Sequence, residues 1–116
     1  METRELGAFG EHLAWTHLEE KGYRLVEKNY RTEFGEVDLI CLDPEDEIVF
    51  VEVKTRESLE SGYPEDSVHP GKLKHLENAA DCFLQDRHLD RRPYRFDVVA
   101  IIITEAAPEI VHLIGV

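Results

Sequence analysis

Three residues of this chain have types and spacings that could do chemistry together: Asp38, Glu52 and Lys54, with Glu11 as a candidate fourth. Glu52 and Lys54 lie in the stretch Ile48-Val49-Phe50-Val51-Glu52-Val53-Lys54-Thr55. Its other residues are β-branched or aromatic, the composition of a buried strand. Side chains two apart on a strand share a face, so Glu52 and Lys54 project together with Ile48 and Phe50. A carboxylate and an ammonium ionised against apolar neighbours cost several kcal/mol unless they are paired or bound to something.

What they could bind is a divalent cation. Mg²⁺ or Mn²⁺ takes oxygen ligands, commonly one or two carboxylates completed by water and a substrate phosphate. Asp38, Glu52 and the Val53 carbonyl could supply such a set, and Lys54 beside them could orient an attacking water or neutralise charge developing on a phosphate. These parts suit metal-assisted hydrolysis of a phosphodiester. The plainer alternative is a cross-strand ion pair with no ligand. Asp38 interrupts its own apolar stretch as Glu52 interrupts its strand, and that shared anomaly favours a site.

These residues must be positioned by neighbouring elements. Residues 2–21 have the period of an amphipathic helix, with Leu6, Phe9, Gly10, Leu13, Ala14 and His17 on one face. Thr3 is the expected N-cap and Gly22 the glycine that ends the helix. Glu11 sits at the edge of the apolar stripe, either a solvated flank or a carboxylate looking over the rim of the core. Tyr23 to Asn29 has strand propensity, and Tyr30 to Phe34 is expected as a loop. Residues 36–42 then alternate, Val37, Leu39 and Cys41 to one side, Glu36, Asp38, Ile40 and Leu42 to the other. Asp43-Pro44-Glu45-Asp46 carries a turn signal.

A tight antiparallel hairpin over residues 36–55 follows. Opposed residues in such a pair have numbers that sum to a constant, and a three-residue loop between Asp43 and Glu47 makes that constant 90. Asp38 then stands opposite Glu52, on the same face. Beyond the hairpin, residues 56–69 are polar and contain Gly and Pro, as in a long loop. A second helix is expected from Pro70 to about Arg87, carrying Leu73, Leu76, Ala80, Phe83 and Leu84 on one face. Phe96 to Ile103 is a continuous apolar run that fits a strand covered on both faces, and Glu109 to Ile114 gives a last strand. The expected class is α/β (α+β), a mixed sheet flanked by helices in the order α-β-β-β-α-β-β, as a single domain over residues 1–116.

Composition bounds the alternatives. No apolar run approaches the roughly 20 residues of a membrane span, and no secretory leader is evident. Cys41 and Cys82 have the character of small buried hydrophobes in a reducing compartment, so a cytoplasmic location is expected. Thirteen basic against 25 acidic residues give a net charge of −12, which counts against a nucleic-acid partner unless the bases are locally concentrated. Arg31 and Arg56, flanking the hairpin, and Lys72, in the first turn of the second helix, are candidate backbone contacts. Tyr63 is a candidate base-stacking residue, whereas Asp97 is expected to pair with Arg95 or a loop amide, and Trp15 to pack at the helix flank. The histidines lack zinc-site spacing.

The segments Gly35-Glu36-Val37-Asp38-Leu39-Ile40 and Val49-Phe50-Val51-Glu52-Val53-Lys54-Thr55-Arg56 resemble the core of the restriction-endonuclease-like (PD-(D/E)XK) nuclease superfamily. Gly7, Gly10-Glu11, Ala14, Gly22-Tyr23, Asn29-Tyr30-Arg31 and Arg95-Phe96-Asp97-Val98-Val99 further match the YraN-like family, itself similar to archaeal Holliday-junction resolvases. The resemblance runs from Gly7 to about Ile103. It implies a helix–three strands–helix–strand core, Asp38 and Glu52 as metal ligands, Lys54 as the catalytic lysine, and Glu11 as the acid that resolvase-like members contribute from their first helix. Val37 stands where the motif's proline would. The implied activity is a Mg²⁺- or Mn²⁺-dependent deoxyribonuclease acting on branched or single-stranded DNA, with a homodimer expected if the branched-DNA role holds. The acidic composition departs from that pattern and motivates the alternative of a catalytically silent module binding a protein or nucleic acid.

Overall fold

The structure, a computed structural model, describes residues 2–57 and 70–116, apart from the side chains of Pro70 and Lys72. The elements follow the expected order: α1 (Thr3–Glu20), β1 (Arg24–Thr32), β2 (Gly35–Leu42), β3 (Ile48–Arg56), α2 (Pro70–Asp86), β4 (Tyr94–Ile102) and β5 (Glu109–Leu113). They build one five-stranded sheet in the order β1-β2-β3-β4-β5, antiparallel throughout except where β3 and β4 run parallel. The parallel step is made through the crossover that contains α2, as a parallel connection requires.

Each helix covers one face of the sheet. Ala14 and Leu18 of α1 pack on Leu39, Cys41, Val49, Val51, Val99 and Ile101. On the other face Leu76, Ala80, Phe83 and Leu84 of α2 meet Val37, Ile40, Ile48 and Phe50. Among the described residues no helix is long and apolar enough to cross a membrane.

The α1 boundaries correct one detail. The N-cap is Glu2, with no side-chain capping bond, and Thr3 is already helical. The other end is as expected: Gly22 takes φ +90°, its N–H donates to Glu19 O, and the Tyr23 N–H donates to Leu18 O. That is the Schellman arrangement, for which glycine suits the left-handed position. The buried stripe is Gly10, Ala14 and Leu18, while Phe9, expected on it, is exposed.

Gly10 is forced by close packing. A Cβ added there would lie 1.8 Å from Thr55 Oγ1 and 3.0 Å from Thr55 Cβ, so α1 rests directly against the end of β3.

The expected loop over Tyr30 to Phe34 is shorter than the sequence suggested. Tyr30, Arg31 and Thr32 belong to β1, paired with Val37, Glu36 and Gly35 of β2, and only Glu33 and Phe34 turn. Thr32 Oγ1 donates to Gly35 O and accepts the Phe34 N–H, which closes a turn too short for sequence punctuation to mark. The β2–β3 hairpin has the expected register: Leu39↔Val51, Ile40↔Phe50, Cys41↔Val49 and Leu42↔Ile48 all sum to 90. The Asp43 N–H donates to Glu47 O across the three-residue loop.

A second charged group sits on β4, where Arg95 and Asp97 stand in register with Val49 and Val51 of β3. Asp97, fully buried, accepts from Arg95 Nε at 3.0 Å and from the Gly115 N–H at 3.0 Å, and lies 2.8 Å from His112 Nε2. Arg95 also donates to Asp43 at 2.6 Å, Glu47 at 2.9 Å and the Tyr23 hydroxyl at 2.9 Å. Burial pushes the Asp97 carboxyl up, but His112, Arg95 and the Gly115 amide outweigh it and hold it below the usual range. The expected Asp97–Arg95 pair is thus the centre of a structural network.

Two stability outcomes follow. Gly10→Ala should cost about 1–3 kcal/mol by overpacking, and Thr55→Ala in the same chain should recover part of it, read as a double-mutant cycle in urea. Arg95→Met should cost about 3–5 kcal/mol, because it leaves Asp97 buried without its guanidinium; a loss under 1 kcal/mol would contradict the network's role.

Candidate functional site

β2 and β3 separate just where the unusual charges begin. Their ladder ends at Leu39↔Val51, and one step further the Val53 N–H donates to Asp38 Oδ2 at 2.7 Å instead of to a backbone carbonyl. Asp38 and Glu52 are therefore successive to the ladder but are not a paired step of it. The same change breaks the expected alternation of β2: Val37 packs with the α2 cluster, whereas Leu39 and Cys41 pack under α1. The side-chain bond to Val53 replaces a ladder bond, and this frees the strand to slip its pleat at Asp38.

The result is a cleft of about 230 Å³ lined by Gly7, Glu11, Asp38, Val53, Lys54 and Arg56, among others. Lys54 Nζ lies 3.2 Å from Glu52 Oε1, with both side chains largely buried, which joins Glu52 to the same constellation. Glu52 also borders a second cavity, of about 600 Å³, with Phe34, Glu36, His75 and Leu76. Five of the expected residues (Glu11, Asp38, Val53, Lys54 and Arg56) thus share one cleft, and the sixth, Glu52, is bridged to it.

The remaining expectations fall elsewhere. The Arg31 side chain is exposed, with its Nε 3.7 Å from Glu36; a separation of this kind at the surface contributes little. The side chain of Lys72, the 58–69 part of the expected loop and Tyr63 lie outside the described residues.

Two members were missed from the sequence. Asn29 adopts φ +54°, a left-handed conformation that Asn tolerates better than most residues. With its amide oriented to donate, the nitrogen lies 3.0 Å from Glu11 Oε1 and 3.0 Å from Glu36 Oε1. Asn29 thereby ties α1, β1 and β2 together at the rim of the cleft. The available signal was a carboxylate two residues before Asp38, on a strand that already carried one too many.

The electrostatics reflect burial first and then crowding of like charges. Burial, and then Glu52, push the Asp38 carboxyl from 3.8 up to about 7; the Val53 N–H opposes them, and Glu11 and Glu36 add to the rise. Glu11 is raised by burial and then by Glu36, against Asn29 and Lys28. Hard oxygen donors that resist ionisation beside one another suit a divalent cation, which would favour their charged forms. Among the described residues no three His, Cys, Asp or Glu side chains form a ready-made metal cage. Carboxylates so few would suit an ion that completes its shell with water, as Mg²⁺ often does.

Residues 10–101 match the uncharacterised protein family UPF0102. The chain belongs to this family. Members similar to it include the UPF0102 protein of Syntrophomonas wolfei, 44% identical over 97% of this chain and 96% of its own length. A Clostridioides difficile member is 42% identical over 90% of this chain and 91% of its own. The fold of this UPF0102 chain superposes on a repair endonuclease from Pyrococcus abyssi with a TM-score of 0.51, at 19% identity, covering 90% of this chain but only 40% of that one. The architecture is thus endonuclease-like, as the Asp38 and Glu52–Lys54 segments implied. A weaker superposition, TM-score 0.42 at 16% identity over 98% of this chain and 64% of the other, is to Pyrococcus furiosus SfsA in complex with Ca²⁺.

The Asp38 shift has a stability consequence with a definite sign. A carboxyl that ionises at 3.8 when unfolded and about 7 when folded binds its proton more tightly in the native state. Its contribution is full below pH 4 and is lost as pH rises through 7. Asp38→Asn keeps an oxygen for the Val53 N–H and removes the titration. In EDTA, the stability of the Asn variant relative to the natural chain should rise by roughly 1.4 kcal/mol per pH unit between about pH 5 and 7. Urea titrations over pH 4 to 8 check this, and a pH-independent difference would contradict it.

Proposed function

We propose that this chain is a divalent-metal-dependent nuclease that hydrolyses DNA phosphodiester bonds, with branched or single-stranded DNA as its substrate class. The observation that carries the proposal is the Asp38 carboxylate, fixed by the Val53 N–H at 2.7 Å and crowded by Glu52, with Lys54 in the same cleft. An arrangement that raises a carboxyl to about 7 detracts from folding at neutral pH, and such perturbations concentrate at working sites. The endonuclease-like fold supports the reading as an analogy of architecture.

In this reading Asp38, Glu52 and the Val53 carbonyl hold Mg²⁺ or Mn²⁺, with Glu11 contributing through water from α1. When bound, the ion polarises the scissile phosphate and lowers the pKa of a coordinated water. The chain does the rest. The Val53 N–H holds Asp38 in one orientation, and the position of α1 against Thr55 keeps Glu11 over the cleft. Lys54, now drawn to Glu52, orients the attacking water or stabilises negative charge on the phosphate oxygens. Arg56, at the cleft wall, holds the adjacent backbone phosphate.

Asp38→Asn, Glu52→Gln and Lys54→Met should each lower Mg²⁺-dependent cleavage of a branched or single-stranded substrate by about 100-fold or more, with the fold intact by circular dichroism. Addition of EDTA should abolish cleavage. Absence of any metal-dependent cleavage of branched, single-stranded or duplex DNA by the natural chain would overturn the proposal. It would favour a catalytically silent module, a reading motivated by arginines already committed to acids, such as Arg24 with Asp46 and Arg87 with Glu27.

A further inference from the structure

A third cavity, of about 300 Å³, opens between α1 and β1 and is separate from the chemistry described so far except at one residue. Glu11, His12 and Trp15 line it from the helix, and Leu25, Lys28 and Asn29 from the strand. Glu11 lines this cavity and the Asp38–Lys54 cleft alike, so the two border one side chain. The strand that forms its outer wall is irregular at two points: the β1–β2 register shifts between Leu25 and Glu27, and Asn29 is left-handed. An irregular edge strand next to a site is a recurrent way of re-aiming side chains.

We propose that this cavity is a nucleotide subsite, in which one unstacked base lies against Trp15 while its phosphate is held by Lys28. The proposal rests on the nuclease reading and sharpens its substrate. The volume suits a single nucleoside, at the lower end of the roughly 300–1,000 Å³ usual for small-ligand sites. A stacked base pair cannot enter so narrow a space, so a base must leave its stack to reach it. An aromatic ring beside a cation is the combination that binds single strands, the ring meeting the base and the cation the backbone. Leu25, an exposed residue of the lining, adds an apolar edge that a base would cover. Because the cavity meets the cleft at Glu11, a nucleotide seated here lies next to the phosphate presented to Asp38. The preferred DNA therefore has an unpaired nucleotide beside the scissile bond, as at a flap, a gap or a branch point.

Trp15 is the only tryptophan in the chain; it packs partly against the core under α1 and also lines this cavity, so its emission can report an occupant there. With the natural chain in Ca²⁺, short single-stranded oligo-deoxythymidylate should quench that emission saturably, and the corresponding dT·dA duplex should not. By anisotropy of a labelled strand, Trp15→Ala should weaken binding about tenfold and Trp15→Phe much less. Lys28 is exposed, so Lys28→Glu should fold normally even if Trp15→Ala does not, and it too should weaken binding about tenfold. Single-strand binding without quenching, or with Lys28→Glu unaffected, would overturn the inference. If duplex is cleaved in Mg²⁺ while single strands neither bind nor quench, the subsite fails and the nuclease reading stands. Quenching without any cleavage would sustain the subsite and remove the nuclease reading, and absence of both would remove both.

Discussion

The hydrogen bond from the Val53 N–H to Asp38 organises the site end of the molecule. Up to Leu39↔Val51 the hairpin is an ordinary antiparallel ladder; beyond it, a side chain takes the place of the strand. A backbone N–H in a half-buried strand has to be satisfied, and the Asp38 carboxylate does this at 2.7 Å. In return the carboxylate is immobilised, withdrawn from water and brought beside Glu52. The pleat slips, a cleft opens between β2, β3 and α1, and Glu11 looks into it. One substitution of acceptor thus produces the shape of the site and its crowding of charge together.

Much of this could be read from residues 36–55. The turn chemistry of Asp43-Pro44-Glu45-Asp46 and the even register sum were enough to bring Asp38 and Glu52 to neighbouring positions, since hairpin register follows from loop length. The face shared by Glu52 and Lys54 followed from strand period and is realised as an ion pair. What period and propensity missed was local departure from ideal geometry. Neither can anticipate that the ladder stops at Leu39, that Val37 turns towards α2, or that Asn29 goes left-handed to bridge Glu11 and Glu36. Tyr30 to Thr32 read as a loop because the two-residue turn after them has no strong punctuation, yet pairing with β2 draws them into the sheet. Of the Arg95 network only the Asp97 pair was legible, since Tyr23, Asp43 and Glu47, which also accept from Arg95, and His112, which meets Asp97, come from far apart in sequence.

The two charged groups of the sheet obey opposite logic. Around Asp97 both carboxylate oxygens have donors, in Arg95, His112 and the Gly115 N–H, and these hold the carboxyl below its usual range although burial opposes them. Around Asp38 the donors fall short: burial first, and then the neighbouring carboxylates Glu52, Glu11 and Glu36, outweigh the Val53 N–H, and protonation becomes easy. The first arrangement is what a fold uses to lock a register. The second works against stability and makes sense where a cation arrives from outside. It also bears on the net charge of −12. Several arginines are occupied by acids of the chain, among them Arg24, Arg87 and Arg95, so an external cation would neutralise charge just where a DNA phosphate would have to approach.

That cation is the central claim, and crystals grown or soaked with Mn²⁺ test it most directly through anomalous scattering. The account predicts one strong peak in the cleft, about 2.0–2.5 Å from carboxylate oxygens of both Asp38 and Glu52, with Lys54 Nζ drawn away from Glu52. A cleft without a peak at saturating Mn²⁺, with Lys54 still on Glu52, would contradict it and leave the charges of β3 as a structural ion pair.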